Sequence, residues 1–205
     1  MRFPSLLAAA AAFALSVPVA SAEVQVFIVD PAHSEVGFNV RHLVSKVPGR
    51  FDEYEGTVAM DPKAIESTMK IDAKIKTASI NTGVEKRDNH LRSADFFEAE
   101  KYPEITFVSK KVAKKDNLYS VTGDITIRGV TKEVVLDAEV LAISTNPFTK
   151  MPSAGLEITG KVNRKDFGIN WNKTLDEGGV VLGDDVNLVV RLETNVPAKD
   201  PEAKS

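Results

Sequence analysis

The sequence predicts an all-β protein of about eight antiparallel strands with one inserted helix. Two observations carry that reading. Most of the chain alternates apolar and polar residues with period two. The clearest case is Lys70 to Thr77, where Ile71, Ala73 and Ile75 point one way and Lys70, Asp72, Lys74 and Lys76 the other. The stretch Asn81 to Phe107 breaks the alternation with helical spacing and then paired aromatics. Consecutive strands wet on one face form a sandwich or a closed barrel. A membrane barrel needs an apolar outer face and a polar lumen. The charged face of Lys70 to Thr77 suits neither lipid nor a packed interior. The apolar face must then point inward, which favours a soluble barrel.

The chain opens like an export signal. Arg2 is the only charge before a mostly apolar run from Leu6 to Val19, and Ala20-Ser21-Ala22 supplies an A-x-A cleavage site. Residues 1–22 are therefore expected to be removed. The run is short and carries Pro18 near its end, which argues against a membrane span. The remaining chain has the length of one domain, expected over residues 23–197. The polar tail 198–205 is expected to be disordered. With 26 basic and 29 acidic residues, a net charge of −3 and no basic cluster, nucleic acid is an unsuitable partner. Cysteine is absent, which removes disulfides, thiolate chemistry and Cys-ligated metals.

Val24, Val26 and Ile28 alternate up to Asp30-Pro31. Val36, Phe38, Val40 and His42 then share one face, which puts His42 in phase with the apolar side. Pro48-Gly49 predicts a turn, Phe51 to Met60 a further strand, and Asp61-Pro62 a break. Val121, Gly123, Ile125 and Ile127 alternate up to a hairpin. With Gly129-Val130 as a two-residue loop, Ile125 would face Val134. Val134, Leu136, Ala138 and Val140 continue the apolar face, as do Leu156, Ile158, Gly160 and Val162 after a Pro-containing loop. Asn163 to Gly179 is irregular. Val186, Leu188, Val190 and Leu192 point inward on the last strand.

The helix should start at a capping box of Thr82 and Glu85 and run to about Ser93. Val84, Arg87, Asp88 and Leu91 share one of its faces. Burial of Val84 and Leu91 would carry Arg87 and Asp88 inward, where they need partners from outside the helix.

Several segments together carry a family resemblance. They are Asp30-Pro-Ala-His33-Ser34-Glu-Val-Gly-Phe38, Gly49-Arg-Phe51, Ser79-Ile80-Asn81-Thr82 and Arg87-Asp88-Asn-His90-Leu91. Asp95-Phe96-Phe97, Tyr102-Pro103-Glu-Ile-Thr-Phe107, Gly123-Asp-Ile-Thr-Ile-Arg-Gly129-Val-Thr131 and Arg164-Lys-Asp166-Phe167-Gly168 come after them in order. In that order and spacing the chain resembles the YceI family of exported, lipocalin-like proteins, across nearly all of its length beyond residue 22. The resemblance implies an eight-stranded antiparallel lipocalin-like barrel flanked by an α-helix. It also implies a periplasmic location and an apolar tunnel for a long-chain amphiphile such as a polyisoprenoid, a quinone-like lipid or a fatty amide. Phe38, Val40, His42, Phe51, Phe97, Phe107, Ile127, Phe167 and Trp171 are the expected ligand-binding residues.

The residues offer little for catalysis. His33, His42 and His90 lie in different elements, without the spacing of a metal site, and each is expected to make a structural hydrogen bond. Asp88 and His90, two apart on a helix, point in different directions. No nucleophile elbow, phosphate loop or paired-carboxylate motif occurs. The expectation is a binding protein with no catalytic residues, no metal and no cofactor other than the lipid. No stable membrane insertion is expected, and a homodimer is open. An enzyme acting on the same lipid through His42, Asp88 or His90, and a packed stress-response interaction module, are the alternatives.

Overall fold

A computed structural model describes residues 23–174 and 180–198. The expected export segment and residues 199–205 of the expected tail lie outside them. In chain order the elements are β1 (Gln25–Val29), β2 (Glu35–His42), β3 (Ser45–Phe51), β4 (Tyr54–Met60) and a short α1 (Ile65–Thr68). Next come β5 (Lys70–Lys76), β6 (Ile80–Asn81) and α2 (Glu85–Arg92), then β7 (Glu104–Lys115), β8 (Leu118–Ile127), β9 (Val130–Thr145), β10 (Pro152–Asn163) and β11 (Leu182–Asn195). All strand pairs are antiparallel. Eight strands close a ring in the order β1-β4-β5-β7-β8-β9-β10-β11, with β11 pairing back to β1. No described helix is long and apolar enough to cross a membrane.

The ring is not uniform along its axis. One edge of β11 serves two partners: residues 182–191 pair with β2, and Thr194 and Asn195 pair with β1. A 3-10 turn at Pro31–His33 bends the chain between those partners, capped by Asp30, whose carboxylate accepts from Ala32 N. The bend is tied to β11 through Ser34, which donates to Glu193 O and accepts from Glu193 N. At one end, then, β4 continues the wall to β5. At the other, β2 and β3 lean away, β6 adds two residues to β3, and α2 borders the cavity beside them.

Alternation placed most strands correctly. On β5, Ile71 is buried while Lys70, Asp72, Lys74 and Lys76 face water. Leu136, Ala138, Leu156, Ile158 and Val162 are buried as expected. Two expectations are corrected, and the face of β1, which alternation alone left open, is decided. On β1 Phe27 is fully buried, and Val24, Val26 and Ile28 are each about half exposed (49, 48 and 46 %). One aromatic ring, packed in the core with Val58 and Met60, outweighs three smaller side chains. Pro48-Gly49 is no turn but lies inside β3, paired with Asn39 and Phe38, and the actual turn is Leu43-Val44. Proline is tolerated there because β3 has no second partner until Arg50. Gly49 is needed because the Phe38 ring lies where a side chain would begin. The β8–β9 hairpin is displaced by one residue from expectation: Ile127 pairs with Val130, so Arg128-Gly129 is the loop and Gly123, not Ile125, faces Val134. Both loop residues have positive φ (51° and 72°), as a type I′ turn requires.

Candidate functional site

A cavity of about 610 Å³ runs inside the barrel. Its wall is built from the inward face of nearly every strand: Val36, Phe38 and Val40 on β2, Leu188 and Val190 on β11, Ile125 and Ile127 on β8, and Ile105 and Phe107 on β7. Many of these are only half buried, because their inner faces meet cavity rather than neighbours. Phe27, Met60 and Leu156 are fully buried and lie outside the lining, so they plug the β1/β4 end. At the other end the lining includes His42, Val47, Lys86, Arg87, His90, Trp171, Val181 and Leu182. The mouth therefore lies between the β2–β3 hairpin, α2 and the segment around Trp171 and Leu182.

All nine residues singled out from the sequence lie on this wall: Phe38, Val40, His42, Phe51, Phe97, Phe107, Ile127, Phe167 and Trp171. Phe38, Phe51 and Phe97 form a chain of rings with centroids 5.8 and 6.1 Å apart. His42, in phase with the apolar face, ends β2 opposite Leu182. The set omitted the β11 residues Val186, Leu188, Val190 and Leu192, although their inward phase was legible, and the α2 residues Lys86, Arg87, His90 and Leu91.

The helix differs from expectation at its start. It begins at Glu85 with Val84 in the cap position and no side-chain cap, and Val84 is 48 % exposed rather than docked. The expected capping box is absent because Thr82 serves another purpose. Asp88, buried, accepts from Thr82 N at 2.9 Å and from Thr82 Oγ1 at 2.5 Å. Arg87 donates to Thr82 Oγ1 and to Thr82 O. The partners do come from outside the helix, but from the single residue Thr82, three positions before Glu85, and they are not an ion network reaching into the barrel. Arg92 supplies the tie to the sheet, donating to Ala78 O at 2.6 Å and Ile80 O at 2.8 Å. Asp88→Ala strands the Thr82 N–H and the Arg87–Thr82 cluster. It should lower stability by about 2–3 kcal/mol, read by chemical denaturation. A denaturation midpoint matching the parent protein would show that Thr82 is satisfied without the carboxylate.

His90 on α2 and Trp171 close one side of the mouth. Their ring centroids are 5.0 Å apart, and each ring also meets Phe96, at 5.0 and 5.2 Å. His90 Nε2 and Asp95 Oδ2 are 2.9 Å apart. Trp171 is positioned by Arg164, a buried guanidinium absent from the expected site residues. Its Nη1 donates to Ile169 O and Trp171 O, its Nε to Gly183 O, and its Nη2 to Asp184 Oδ1. Burial lowers the proton affinity of Arg164 and Asp184 opposes that, so an arginine remains charged here. Arg164 could have been found from parity, because it continues the inward series Gly160, Val162.

Elsewhere His33 Nδ1 lies 2.9 Å from Asp30 Oδ2, and that hydrogen bond raises the proton affinity of the exposed imidazole. Asp30, His33 and Glu193 bring ligand atoms within 4.8 Å of one another at the β1–β2 bend, and none of them lines the cavity. Asp88 and His90 make no contact with each other among the described hydrogen bonds, as their spacing required.

Comparison with known proteins agrees with the geometry. A UPF0312 protein of Staphylococcus aureus strain MSSA476 is 43 % identical over 171 residues, covering 83 % of this chain and 97 % of that protein. The crystal structure of the Campylobacter jejuni YCEI protein is 38 % identical, covers 83 % of this chain and 97 % of that one, and superposes with a TM-score of 0.67. A polyisoprenoid binding domain from Saccharophagus degradans shares the fold at 16 % identity, with 85 % of this chain and all of that one covered and a TM-score of 0.60. The family of YceI-like domains matches residues 27–194, and the chain belongs to that family.

Proposed function

We propose that the protein binds one long-chain amphiphile, a polyisoprenoid or quinone-like lipid, inside the barrel and carries or stores it in the periplasm. The observation that carries this is the cavity: about 610 Å³, walled by aliphatic and aromatic side chains, plugged at one end and bordered by His42, Lys86, Arg87 and His90 at the other. A prenyl or acyl chain is held there by area. Burying about 300 Å² of apolar surface yields about 7–8 kcal/mol, part of which is offset by ordering the chain and the protein. The polar end stays at the mouth, because burying it unpaired costs more than it gains. The binding of polyisoprenoid by the Saccharophagus degradans domain of the same fold supports the ligand class.

Mass spectrometry of organic extracts from protein purified without detergent tests the reading. The expected result is a prenyl or acyl amphiphile at up to one per chain, and a stripped protein that reloads. A stripped protein that takes up neither a polyprenol nor a fatty amide would overturn it.

One observation favours a second reading. His90, on the cavity lining, is hydrogen bonded to Asp95, a His–carboxylate pair of the kind an enzyme acting on the same lipid would use. Among the described residues no hydroxyl is hydrogen bonded to the His90 ring. The same spectra decide this: a time-dependent change in ligand mass, lost in His90→Ala, would establish turnover.

A further inference from the structure

We propose that the mouth of the cavity docks on an anionic lipid bilayer, with the β2–β3 hairpin tip as the inserting element. This rests on the amphiphile reading and adds the surface from which the ligand is collected or to which it is delivered. Three exposed aliphatic residues gather beside the opening. Val44 is fully exposed, Leu43 is 40 % exposed, and Val180 is 36 % exposed. They are adjacent by backbone geometry. Leu43 N donates to Val181 O, and Val181 N donates to Lys173 O. Their neighbours His42, Val47 and Val181 line the cavity, so the apolar tip continues into the apolar interior. Val84 adds a fourth exposed aliphatic at the start of α2, next to the lining residues Lys86 and Arg87.

The charge around this tip is basic. Arg41 and Lys46 pair across the hairpin two steps below it, Lys173 stands beside Val181, and Lys86 is exposed on α2. None of these four is in an ion pair among the described residues. The nearby acids of β11 are committed: Asp184 to Arg164 and Lys165, and Asp185 to Lys161. Residues 175–179, which include Asp176 and Glu177, lie outside the described residues, and the exposed Glu85 stands beside Lys86 on α2, so the proposal rests on the tip and on Arg41 and Lys46. An aliphatic tip ringed by unpaired cations is complementary to an anionic interface: side chains enter the acyl boundary while cations meet the headgroups. The fully hydrated Val44 has no packing role within the chain, which separates this patch from the barrel core.

The test is co-sedimentation of the purified protein with vesicles of equal parts phosphatidylglycerol and phosphatidylcholine, against phosphatidylcholine alone. It is paired with uptake of a dansyl-labelled fatty amide from the same vesicles or from detergent micelles. Binding should favour the anionic vesicles and fall about tenfold or more in Val44→Asp and in the double variant Arg41→Glu, Lys46→Glu. Uptake from vesicles should slow in both, with uptake from micelles unchanged. Equal sedimentation of the parent and Val44→Asp proteins overturns the proposal. So does a dimer, seen by analytical ultracentrifugation, that Val44→Asp dissociates while vesicle binding is absent throughout. Failure to take up the amide from either source would instead overturn the amphiphile reading, and loss of vesicle binding in Val44→Asp would still uphold the docking surface.

Discussion

Arg164→Ala should be among the most destabilising single substitutions in this protein, lowering stability by about 4 kcal/mol and the melting temperature by about 10 °C. The buried guanidinium gathers Gly183 O, Ile169 O, Trp171 O and the Asp184 carboxylate around one planar group. Removing it leaves carbonyls without donors in a place water reaches poorly, and desolvating an unpaired acceptor costs more than the hydrogen bond contributed. Lysine does not repair the loss, since the three donors of an ammonium radiate from one nitrogen, whereas these four acceptors are spread around the three nitrogens of the guanidinium. Trp171 is the only tryptophan in the chain, so its fluorescence reports the local consequence separately from global melting. The expected result is a red-shifted emission in Arg164→Ala at temperatures where far-ultraviolet circular dichroism is still native. An unchanged emission maximum and melting temperature would mean that the segment around Trp171 holds itself in place.

Val40→Trp should remove most bound lipid, by about tenfold or more, whereas His42→Ala should change occupancy by less than about threefold. Val40 faces the cavity between Val47 and Val186, its partners on β3 and β11. An indole there has open space to enter, so the strain of overpacking a filled core is mostly avoided. That space is what an acyl or prenyl chain needs. His42 stands at the rim, where a headgroup retains water as an alternative partner. The comparison is lipid recovered per mole of folded protein. Equal occupancy in the parent and Val40→Trp proteins, with the fold intact, would show that the chain does not run along the inward face of β2.

What the sequence made legible was whatever depends on period. The faces of β5, β9, β10 and β11 come from alternation, and so does the inward position of His42. What it concealed depends on competition. On β1 the count of aliphatic residues pointed one way and the size of Phe27 the other, and volume decided. Pro48-Gly49 has turn chemistry, but the Phe38 ring across the hairpin uses the space a glycine leaves, and an unpaired strand edge tolerates the proline. Thr82 has the spacing of a helix cap, yet Asp88 and Arg87 claim it first. Arg92 and Arg164 bind mainly backbone carbonyls, which every residue possesses, so no partner residue marks them in the sequence. Arg164 left only its parity as a trace.

The shared edge of β11 has a consequence for how the chain reaches this state. β10, β2 and β1 all complete their pairing on this last strand, and the two residue pairs that join β1 to it connect positions more than 160 apart in sequence. The β7–β8 and β8–β9 hairpins need only contacts close in sequence. The ring cannot close, and the lumen cannot exclude water, until nearly the whole chain is available. Before that moment β10 and the β1–β2 arm present bare strand edges, the feature most prone to joining another chain. Closure is therefore late, all-or-none and non-local, and no disulfide is available to hold a partly closed ring.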